Sequence, residues 1–301
     1  MTTLAPFELH RADTVADATS LLAEFGDEAV IYSGGTELLL LLKLGFASYG
    51  HLIDIKHIDE LLQLEVRAGT LVIGGAVTHR SLERSAAARA GWPDLVEMER
   101  RVANVRVRST GTLGGNLAFA DPHSDPATFL LAADASVTLG LGEQRRQLGL
   151  GEFVLGPYET ALQPGELLCT IEVPAMPRDA AMCHLRFAFH ERPAATVTAW
   201  TRVSEGRVLD ARVAVGAVGG TPVLVPGLRD ALHAQRARAI DGSVLRSLGA
   251  AGADASEPVS DANGSADYKH ALVATLIGRA LTEASARAAA DKETAEEEIR
   301  T

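Results

Sequence analysis

The chain has 301 residues, enough for two or three modest domains, and its 47% apolar and 22% charged content is typical of a globular protein. Its formal net charge of −11 argues against nucleic-acid binding, because phosphate backbones are bound through Lys and Arg. The apolar run from Leu38 to Leu42 is far shorter than the roughly 20 residues that span a bilayer. The N-terminus has no basic segment followed by an apolar one, so we expect a cytoplasmic protein.

The chain opens with a predicted βαβ unit. The apolar run 29–32 is read as a buried strand, the turn Ser33 to Thr36 follows it, and a helix is predicted from Glu37 to Leu44. His51 to Ile55 is the second strand. Because a helical crossover joins the two strands, we expect them to pair in parallel.

The middle of the chain is less regular. Helical segments are expected after Thr78 and after Pro93, whereas the glycine-rich segment Ser109 to Asn116 is predicted not to form regular helix. Asp121 to Pro126 is a turn-forming hinge, and a short helix is predicted from Ala127.

Strands and helices complete the C-terminal half. Strands are predicted at 136–139 and 168–173, and the prolines between Pro174 and Arg178 mark a domain boundary. Beyond that boundary three β segments are expected, followed by largely helical chain from Arg229 and a charged tail from Ala284 that should fray. The three β segments are 184–189, 196–203 and 208–218.

The chain offers few residues for metal binding. Cys169 and Cys183 cannot supply the four protein ligands of an ordinary iron–sulfur cluster or structural zinc site, and both lie in apolar, strand-like stretches typical of a core. The nine histidines show no HxxxH or HxH spacing. We therefore predict no metal site in this chain.

The first candidate binding element is the turn Ser33-Gly34-Gly35-Thr36. Two glycines between a strand and a helix allow backbone N–H groups to point at one spot, and the helix dipole behind them favours a phosphate. The turn matches neither the Walker A loop nor the GxGxxG spacing. An ordinary strand-to-helix turn is the alternative.

The second candidate element is the loop Thr112-Leu113-Gly114-Gly115-Asn116. Its glycines allow close backbone approach, while Thr112 and Asn116 can bond a sugar hydroxyl or a phosphate oxygen. Nine residues later, Asp125 can accept hydrogen bonds from ribityl or ribose hydroxyls, or can instead cap the helix near Ala127. Together, the two loops and this carboxylate would suit a diphosphate with two sugar-like arms.

These residues resemble a known family. The segments SGGTELLLLLKLG (Ser33 to Gly45), HLIDI (His51 to Ile55) and STGTLGGNLAFADPHSD (Ser109 to Asp125) look like the FAD-binding domain of molybdenum hydroxylases. That family includes xanthine dehydrogenases, aerobic carbon monoxide dehydrogenases and dehydrogenases of N-heterocycles. The resemblance continues through GELLCTIEVP (Gly165 to Pro174) and GSADYKHALVATLIGRAL (Gly264 to Leu281), so it covers nearly the whole chain.

The resemblance implies an α+β fold. A two-subdomain FAD-binding domain of the PCMH (vanillyl-alcohol-oxidase-like) type would occupy residues 1–177, with subdomains of about 1–56 and 57–177. A C-terminal α+β domain, with a three-stranded antiparallel sheet and helices, would occupy 178–283. Residues 284–301 would form the frayed tail.

The resemblance also implies the site residues, none of them catalytic. The pyrophosphate would be lined by Ile31, Tyr32, Ser33, Gly34, Gly35, Thr36, Glu37 and Leu38, and the second loop would be Thr112, Leu113, Gly114, Gly115 and Asn116. Asp125 takes the place of the family's FAD-contacting aspartate. Leu168 and Val102 correspond to apolar positions near the flavin, although both are equally explained as core.

Two positions depart from the family pattern. Ala188 stands where relatives often carry a lysine near the flavin, and Arg186 is the nearest cation, on the same strand face. The first loop has Thr36 and Glu37 after its glycine pair, where carbon monoxide enzymes typically read GGHS, which disfavours that substrate.

The implied function is that of an FAD-carrying electron-transfer subunit. A large molybdopterin-binding subunit and a small subunit with two 2Fe–2S clusters would be its partners, in a dimer of heterotrimers. The reduced flavin would pass electrons to NAD, a quinone or oxygen. Two alternatives stay open: a stand-alone flavin-dependent oxidase or reductase, which would need its own proton donor or acceptor over the flavin, and a scaffold without flavin, which would require broken glycine loops.

Overall fold

A computed structural model describes residues 4–189, 191–233 and 235–300, with side chains described up to Ala290. The chain divides into two compact units that are interleaved in sequence. The first unit comprises residues up to 90, 99–121 and 135–174, and the second unit comprises 91–98, 122–134 and the chain from 175 onward.

The first unit begins with a three-stranded parallel sheet. Its strands are β1 (Glu8–Arg11), β2 (Ala29–Tyr32) and β3 (His51–Asp54), in the order β1-β3-β2. Helix α1 (Val15–Phe25) joins β1 to β2, and α2 (Leu38–Leu44) joins β2 to β3. The parallel pairing of β2 with β3 confirms the predicted βαβ unit, whereas β1 was not predicted.

Local signals explain where these helices begin and end. Thr14 caps α1, because its Oγ1 accepts a hydrogen bond from Asp17 N at 3.0 Å while Asp17 Oδ2 accepts one from Thr14 N at 3.0 Å. Helix α2 ends at Gly45, whose φ of +74° is left-handed and therefore suits glycine.

The first unit also contains a five-stranded antiparallel sheet. Its order is β4-β5-β10-β6-β7, with a small hairpin, β8 and β9, and a short helix, α9, beside it. The bounds are β4 Leu64–Arg67, β5 Thr70–Gly74, β6 Ser136–Leu141, β7 Gln144–Gly149, α9 Leu150–Phe153, β8 Val154–Gly156, β9 Glu159–Thr160 and β10 Leu167–Val173. The inner strands β5 and β10, each paired on both sides, are largely buried, whereas the edge strands β4 and β7 are mostly exposed.

The prediction that residues 109–116 avoid regular helix is wrong. Helix α6 (Val105–Thr110) and helix α7 (Leu113–Phe119) meet at Gly111 and Thr112, so Gly114, Gly115 and Asn116 lie in the first turn of α7. Thr112 caps α7 by accepting a hydrogen bond from Gly115 N at 3.0 Å, which offsets the low helix propensity of the glycines. Before them lie α3 (His79–Arg84) and α4 (Ala86–Gly91).

The second unit is built on an antiparallel sheet in the order β11-β12-β13-β14. The sequence predicts three strands, and the structure adds a short fourth, because Val223 pairs with Val215 at the edge of the sheet. Its strands are β11 Ala180–Phe187, β12 Ala195–Ser204, β13 Arg207–Gly216 and β14 Val223–Leu224; its helices are α5 Pro93–Glu99, α8 Asp125–Ala132, α10 Leu228–Leu232, α11 Gly242–Ala255 and α12 Ala266–Arg300. The predicted α+β class is confirmed for the chain as a whole.

The long helix α12 covers this sheet. It packs against β11, β12 and α11, and its small residues Ala280, Ala284 and Ala288 are buried at four-residue intervals on one face. The expected fraying from Ala284 is therefore wrong for residues 284–290, because alanines at that spacing both favour helix and fit against the sheet. The predicted fraying of Thr301 falls outside the described residues. Within the described part of the chain, none of the helices has the length and apolar content that a membrane crossing requires.

Candidate cofactor-binding site

The first glycine turn follows β2 directly. Gly35 has a φ of +68°, and a Cβ there would press into the ring of Tyr32, 3.2 Å from its Cδ2. Glycine is required both by this backbone conformation and by the aromatic neighbour. The turn therefore keeps its backbone close to Tyr32 and leads into α2.

Lys56 also contacts the ring of Tyr32. Its Nζ lies 3.6 Å from the centroid of the Tyr32 ring and 2.9 Å from Asp54 Oδ1. Lys56 follows β3, whose parallel pairing with β2 brings the two chain segments together. Lys56 was not predicted from the sequence, although its position directly after the HLIDI segment is a usable signal.

The second glycine element packs against a third glycine pair. A Cβ on Gly114 would lie 2.6 Å from the Cα of Gly75, so α7 approaches the end of β5 backbone to backbone. Gly114 is buried and Gly115 is exposed. The pair Gly74-Gly75 after β5 was also missed, although it repeats the strand-then-glycine pattern of the first turn.

The two predicted loops are in direct contact within the first unit. Ser33 Oγ lies 3.1 Å from Thr112 Oγ1, and both side chains are buried. A Cβ on Gly34 would lie 2.6 Å from the Cα of Gly111, and a Cβ on Gly111 would lie 3.4 Å from Thr36 Oγ1. The loops therefore meet through bare backbone and short hydroxyl side chains.

A buried histidine–glutamate pair supports the second loop. His79 N donates a hydrogen bond to Gly111 O at 3.1 Å, and His79 Nδ1 lies 2.7 Å from Glu99 Oε2. Both side chains are almost fully buried. No local sequence pattern indicates this pair, because 20 positions separate its members.

A second ionic cluster ties α3 to α6. Burial acts to raise the pKa of Glu83, but hydrogen bonds from Arg80 and Arg108 outweigh it, so the pKa lies below its usual value. Arg108 Nη1 also donates to Val102 O at 3.0 Å. Val102, predicted to lie near the flavin, is thus a buried residue whose carbonyl anchors Arg108.

Leu168, the other predicted apolar contact, is also buried. It lies on the central strand β10, opposite Leu139 of β6. Gly75 N donates to the carbonyl of the next residue, Cys169, at 2.7 Å. Leu168 therefore belongs to the core, next to the place where Gly75 packs against α7. Its proximity to a flavin stays a prediction.

Asp125 lies in the second unit among basic side chains. Its Oδ2 is 3.5 Å from Arg186 Nε and its Oδ1 is 3.6 Å from His184 Nε2, all three groups being largely buried. His184 and Arg186 share one face of β11, and His184 Nδ1 lies 2.7 Å from Thr198 Oγ1. Ser124 occupies the N-cap of α8, so the alternative that Asp125 caps this helix is wrong. His184 was not predicted.

The remaining predicted residues follow from these elements. Ile31 and Tyr32 end β2, Glu37 is the N-cap of α2 and Leu38 its first residue, and Leu113 and Asn116 lie in α7. Ala188 directly follows β11.

Two family models match the chain. The FAD binding domain in molybdopterin dehydrogenase matches residues 5–176, and the CO dehydrogenase flavoprotein C-terminal domain matches residues 190–284. Both matches run in the order that the sequence resemblance predicts.

Individual relatives are similar over nearly the full chain. The carbon monoxide dehydrogenase medium chain of Hydrogenophaga pseudoflava is 32% identical over 94% of this chain and 98% of its own, and the nicotine 6-hydroxylase medium subunit of Paenarthrobacter nicotinovorans is 29% identical over 91% and 95%. A solved Hydrogenophaga pseudoflava carbon monoxide dehydrogenase, lacking the Mo-pyranopterin moiety of its cofactor, aligns with a TM-score of 0.90 and 31% identity over 95% of this chain and 99% of that chain. The chain belongs to the FAD-binding flavoprotein subunits of the molybdopterin dehydrogenase family.

Proposed function

We propose that this chain is the electron-transfer subunit of a heteromeric molybdenum hydroxylase. It would receive electrons from the 2Fe–2S clusters of a small partner subunit and pass them to NAD, a quinone or oxygen, while a large partner carries the molybdopterin cofactor. The observation that carries the proposal is the contact between the two glycine elements at Ser33 and Thr112, within a chain that belongs to an FAD-binding family.

The first unit has the features that an FAD pyrophosphate needs. Because Gly34 and Gly111 pack backbone to backbone, the two turns lie side by side, with the hydroxyls of Ser33, Thr36 and Thr112 at their contact. Lys56 adds a positive charge next to Tyr32. Residues 31–38 and 112–116 would hold the diphosphate and the adjoining sugar.

Asp125 would accept a hydrogen bond from a cofactor hydroxyl. Arg186 and His184 lie beside its carboxylate, and a carboxylate accepts but does not donate hydrogen bonds. An oriented acceptor of this kind suits a ribose or ribityl hydroxyl. Relatives often carry a lysine near the flavin at the position where this chain has Ala188. Arg186 would supply the positive charge there instead.

FAD, when bound, supplies the redox chemistry, and the chain supplies binding and orientation. Leu168 and Val102 would form the apolar boundary that keeps water from the flavin. The chain would thus act without a catalytic acid, base or nucleophile of its own.

The two cysteines support the proposal that the iron–sulfur clusters are bound by a different subunit. Cys169 and Cys183 are buried on β10 and β11, and burial raises the pKa of Cys169 to about 11. Two buried thiols cannot provide the four ligands of a cluster. The clusters would therefore reside in the small partner, in a dimer of heterotrimers, and the organic substrate would be selected by the large one.

Purification of the native protein tests this assignment. We expect it to isolate with a molybdenum-containing large subunit, an iron–sulfur small subunit and one FAD per copy of this chain. A native protein that isolates alone and turns over an organic substrate would contradict the proposal and favour a stand-alone flavoenzyme.

A glycine substitution tests the cofactor site itself. Gly115→Val should abolish FAD binding, because its side chain would stand 2.8 Å from the capping hydroxyl Thr112 Oγ1 and block the backbone's approach to the cofactor. Gly91→Val is the matched control, since a Cβ at Gly91 meets no atom within 4 Å. Flavin absorbance per mole of protein is the measurement. Full FAD content in Gly115→Val would place the site elsewhere.

A further inference from the structure

Three potential metal ligands meet on the parallel sheet of the first unit. Glu8, His10 and His51 each offer one donor atom, and these atoms lie within 4.8 Å of one another. None of them belongs to the glycine loops or to the residues assigned to FAD. The histidine spacing along the chain gives no indication of this cluster, because it is assembled from two strands.

Strand geometry explains the convergence. Glu8 and His10 are two positions apart on β1 and therefore share one face of the sheet. In the parallel pairing of β1 with β3, Glu8 stands opposite His51. All three side chains therefore lie on the same face of the sheet, because successive side chains of a strand alternate between its two faces.

The distances between the donor atoms fit a small metal ion. His10 Nε2 is 2.9 Å from His51 Nδ1, and Glu8 Oε2 is 3.8 Å from each of these nitrogens. The centre of a triangle with these sides lies about 2.1 Å from every corner, which is the usual zinc–nitrogen and zinc–carboxylate distance. The three atoms can therefore ligate one ion with side-chain shifts of only a few tenths of an ångström.

The two imidazoles are held in place by a neighbouring ring. Phe25, the last residue of α1, stacks on His51 with centroids 3.8 Å apart and planes 12° apart, and its ring lies 4.8 Å from that of His10. The His10 and His51 side chains are 18% and 21% exposed, whereas Glu8 is 70% exposed. The rings are thus fixed, while the carboxylate side stays open to water as a further ligand.

A metal-free explanation accounts for only part of the arrangement. A hydrogen bond between the imidazoles would explain the separation of 2.9 Å between their nitrogens. It leaves Glu8 Oε2 without a hydrogen bond to either nitrogen, because both lie 3.8 Å away. A cation bound between the three groups would engage all three donor atoms at once.

We propose that Glu8, His10 and His51 form a binding site for a divalent first-row transition metal of the Zn²⁺ type. Two imidazoles and one carboxylate are a donor set typical of such ions, whereas Ca²⁺ and Mg²⁺ prefer oxygen ligands throughout. The open side leaves room for one or two water molecules to complete the coordination shell.

Titration calorimetry of Zn²⁺ into the full-length, chelator-treated chain tests the proposal. We expect one site in the wild-type protein, and at least about a tenfold loss of affinity in His10→Ala and in His51→Ala. His57→Ala is the matched control, because it removes an exposed histidine six positions from His51 and outside the cluster. Equal affinity in the wild-type protein and both cluster variants, or no binding to the wild-type protein, would overturn the proposal.

A second variant and a second measurement guard against misfolding. Glu8 is exposed, so Glu8→Gln should leave the fold intact while removing the anionic ligand. Zn²⁺ should raise the thermal unfolding temperature of the wild-type protein and of His57→Ala, because a ligand that binds only the folded state stabilises it. The rise should be smaller in Glu8→Gln. An equal rise in Glu8→Gln would show that the ion binds elsewhere.

Discussion

Ser33 Oγ lies 3.1 Å from Thr112 Oγ1, although 79 positions separate the two residues in the chain. Ser33 opens the turn after β2, and Thr112 is the N-cap of α7. This buried pair of hydroxyls therefore joins the two elements on which the cofactor assignment depends. Any change at either residue acts on both elements at once.

Thr112→Val should destabilise the protein by about 1–2 kcal/mol, because it removes both the cap of α7 and the hydroxyl partner of Ser33. Thr112→Ser keeps the oxygen and should stay within about 0.5 kcal/mol of wild type. Urea unfolding followed by circular dichroism measures both. If Thr112→Val proves as stable as Thr112→Ser, the cap and the contact contribute nothing.

Gly114→Ala should cost about 1–3 kcal/mol, because the added methyl group would stand 2.6 Å from the Cα of Gly75 and force two backbones apart. Gly91→Ala provides the control, since its Cβ enters open space. Thermal unfolding compares the two variants with wild type. Similar melting temperatures for both would show that α7 can shift away from Gly75 without loss.

The βαβ unit was predictable because its signals are local. A short apolar run, a glycine pair and a helix ended by Gly45 lie within 17 residues, and β2 and β3 pair as expected. Gly114 and Gly115 led to the wrong prediction that this segment is not helical, because glycine usually interrupts a helix. In this protein Gly114 serves close packing against Gly75, and the cap at Thr112 maintains the helix.

Contacts between distant segments could not be predicted from one sequence. His79 meets Glu99, and His184 meets Asp125, only through the tertiary fold. The same holds for β1, whose four residues have no strong apolar pattern and are positioned by pairing with β3. The structural role of such residues can be predicted only when the segment that packs against them is known.

Asp261→Asn should destabilise the protein by about 3 kcal/mol at neutral pH, because Lys269 would keep a buried ammonium without its carboxylate, now 2.6 Å away. Burial acts to raise the pKa of Asp261, but hydrogen bonds from Lys269, the Asn263 backbone and His123 lower it overall. Asp254→Asn is the control, since Asp254 and His270 form a largely exposed pair that should contribute little.

The pH dependence of this effect has a defined sign. Since the folded-state pKa of Asp261 lies below the ordinary value of 3.8, its stabilisation is present above that value and is lost as the pH falls through the folded pKa. The difference in stability between wild type and Asp261→Asn should therefore shrink in acid. Urea unfolding at several pH values measures it, and a difference that is constant with pH would contradict the ion pair.

Cys169 should resist thiol reagents in the folded protein at mildly alkaline pH. Burial raises its pKa to about 11, with Arg145 opposing the shift, so only about one thiol in a thousand is ionised at pH 8. Labelling followed by peptide mass spectrometry should find Cys169 unmodified until denaturant is added. Rapid labelling of Cys169 in the native state would show that β10 opens readily.

The interleaving of the two units has a consequence for dividing this chain. The boundary between the two family models falls after residue 176, yet residues 91–98 and 122–134 belong with the later segments. Asp94 pairs with Arg287 at 2.8 Å, and Thr196 donates to Thr128 at 3.0 Å. A fragment that ends at Pro174 would contain α8 but would lack the sheet against which α8 is buried. Domain swaps with relatives should therefore exchange all three segments of a unit together.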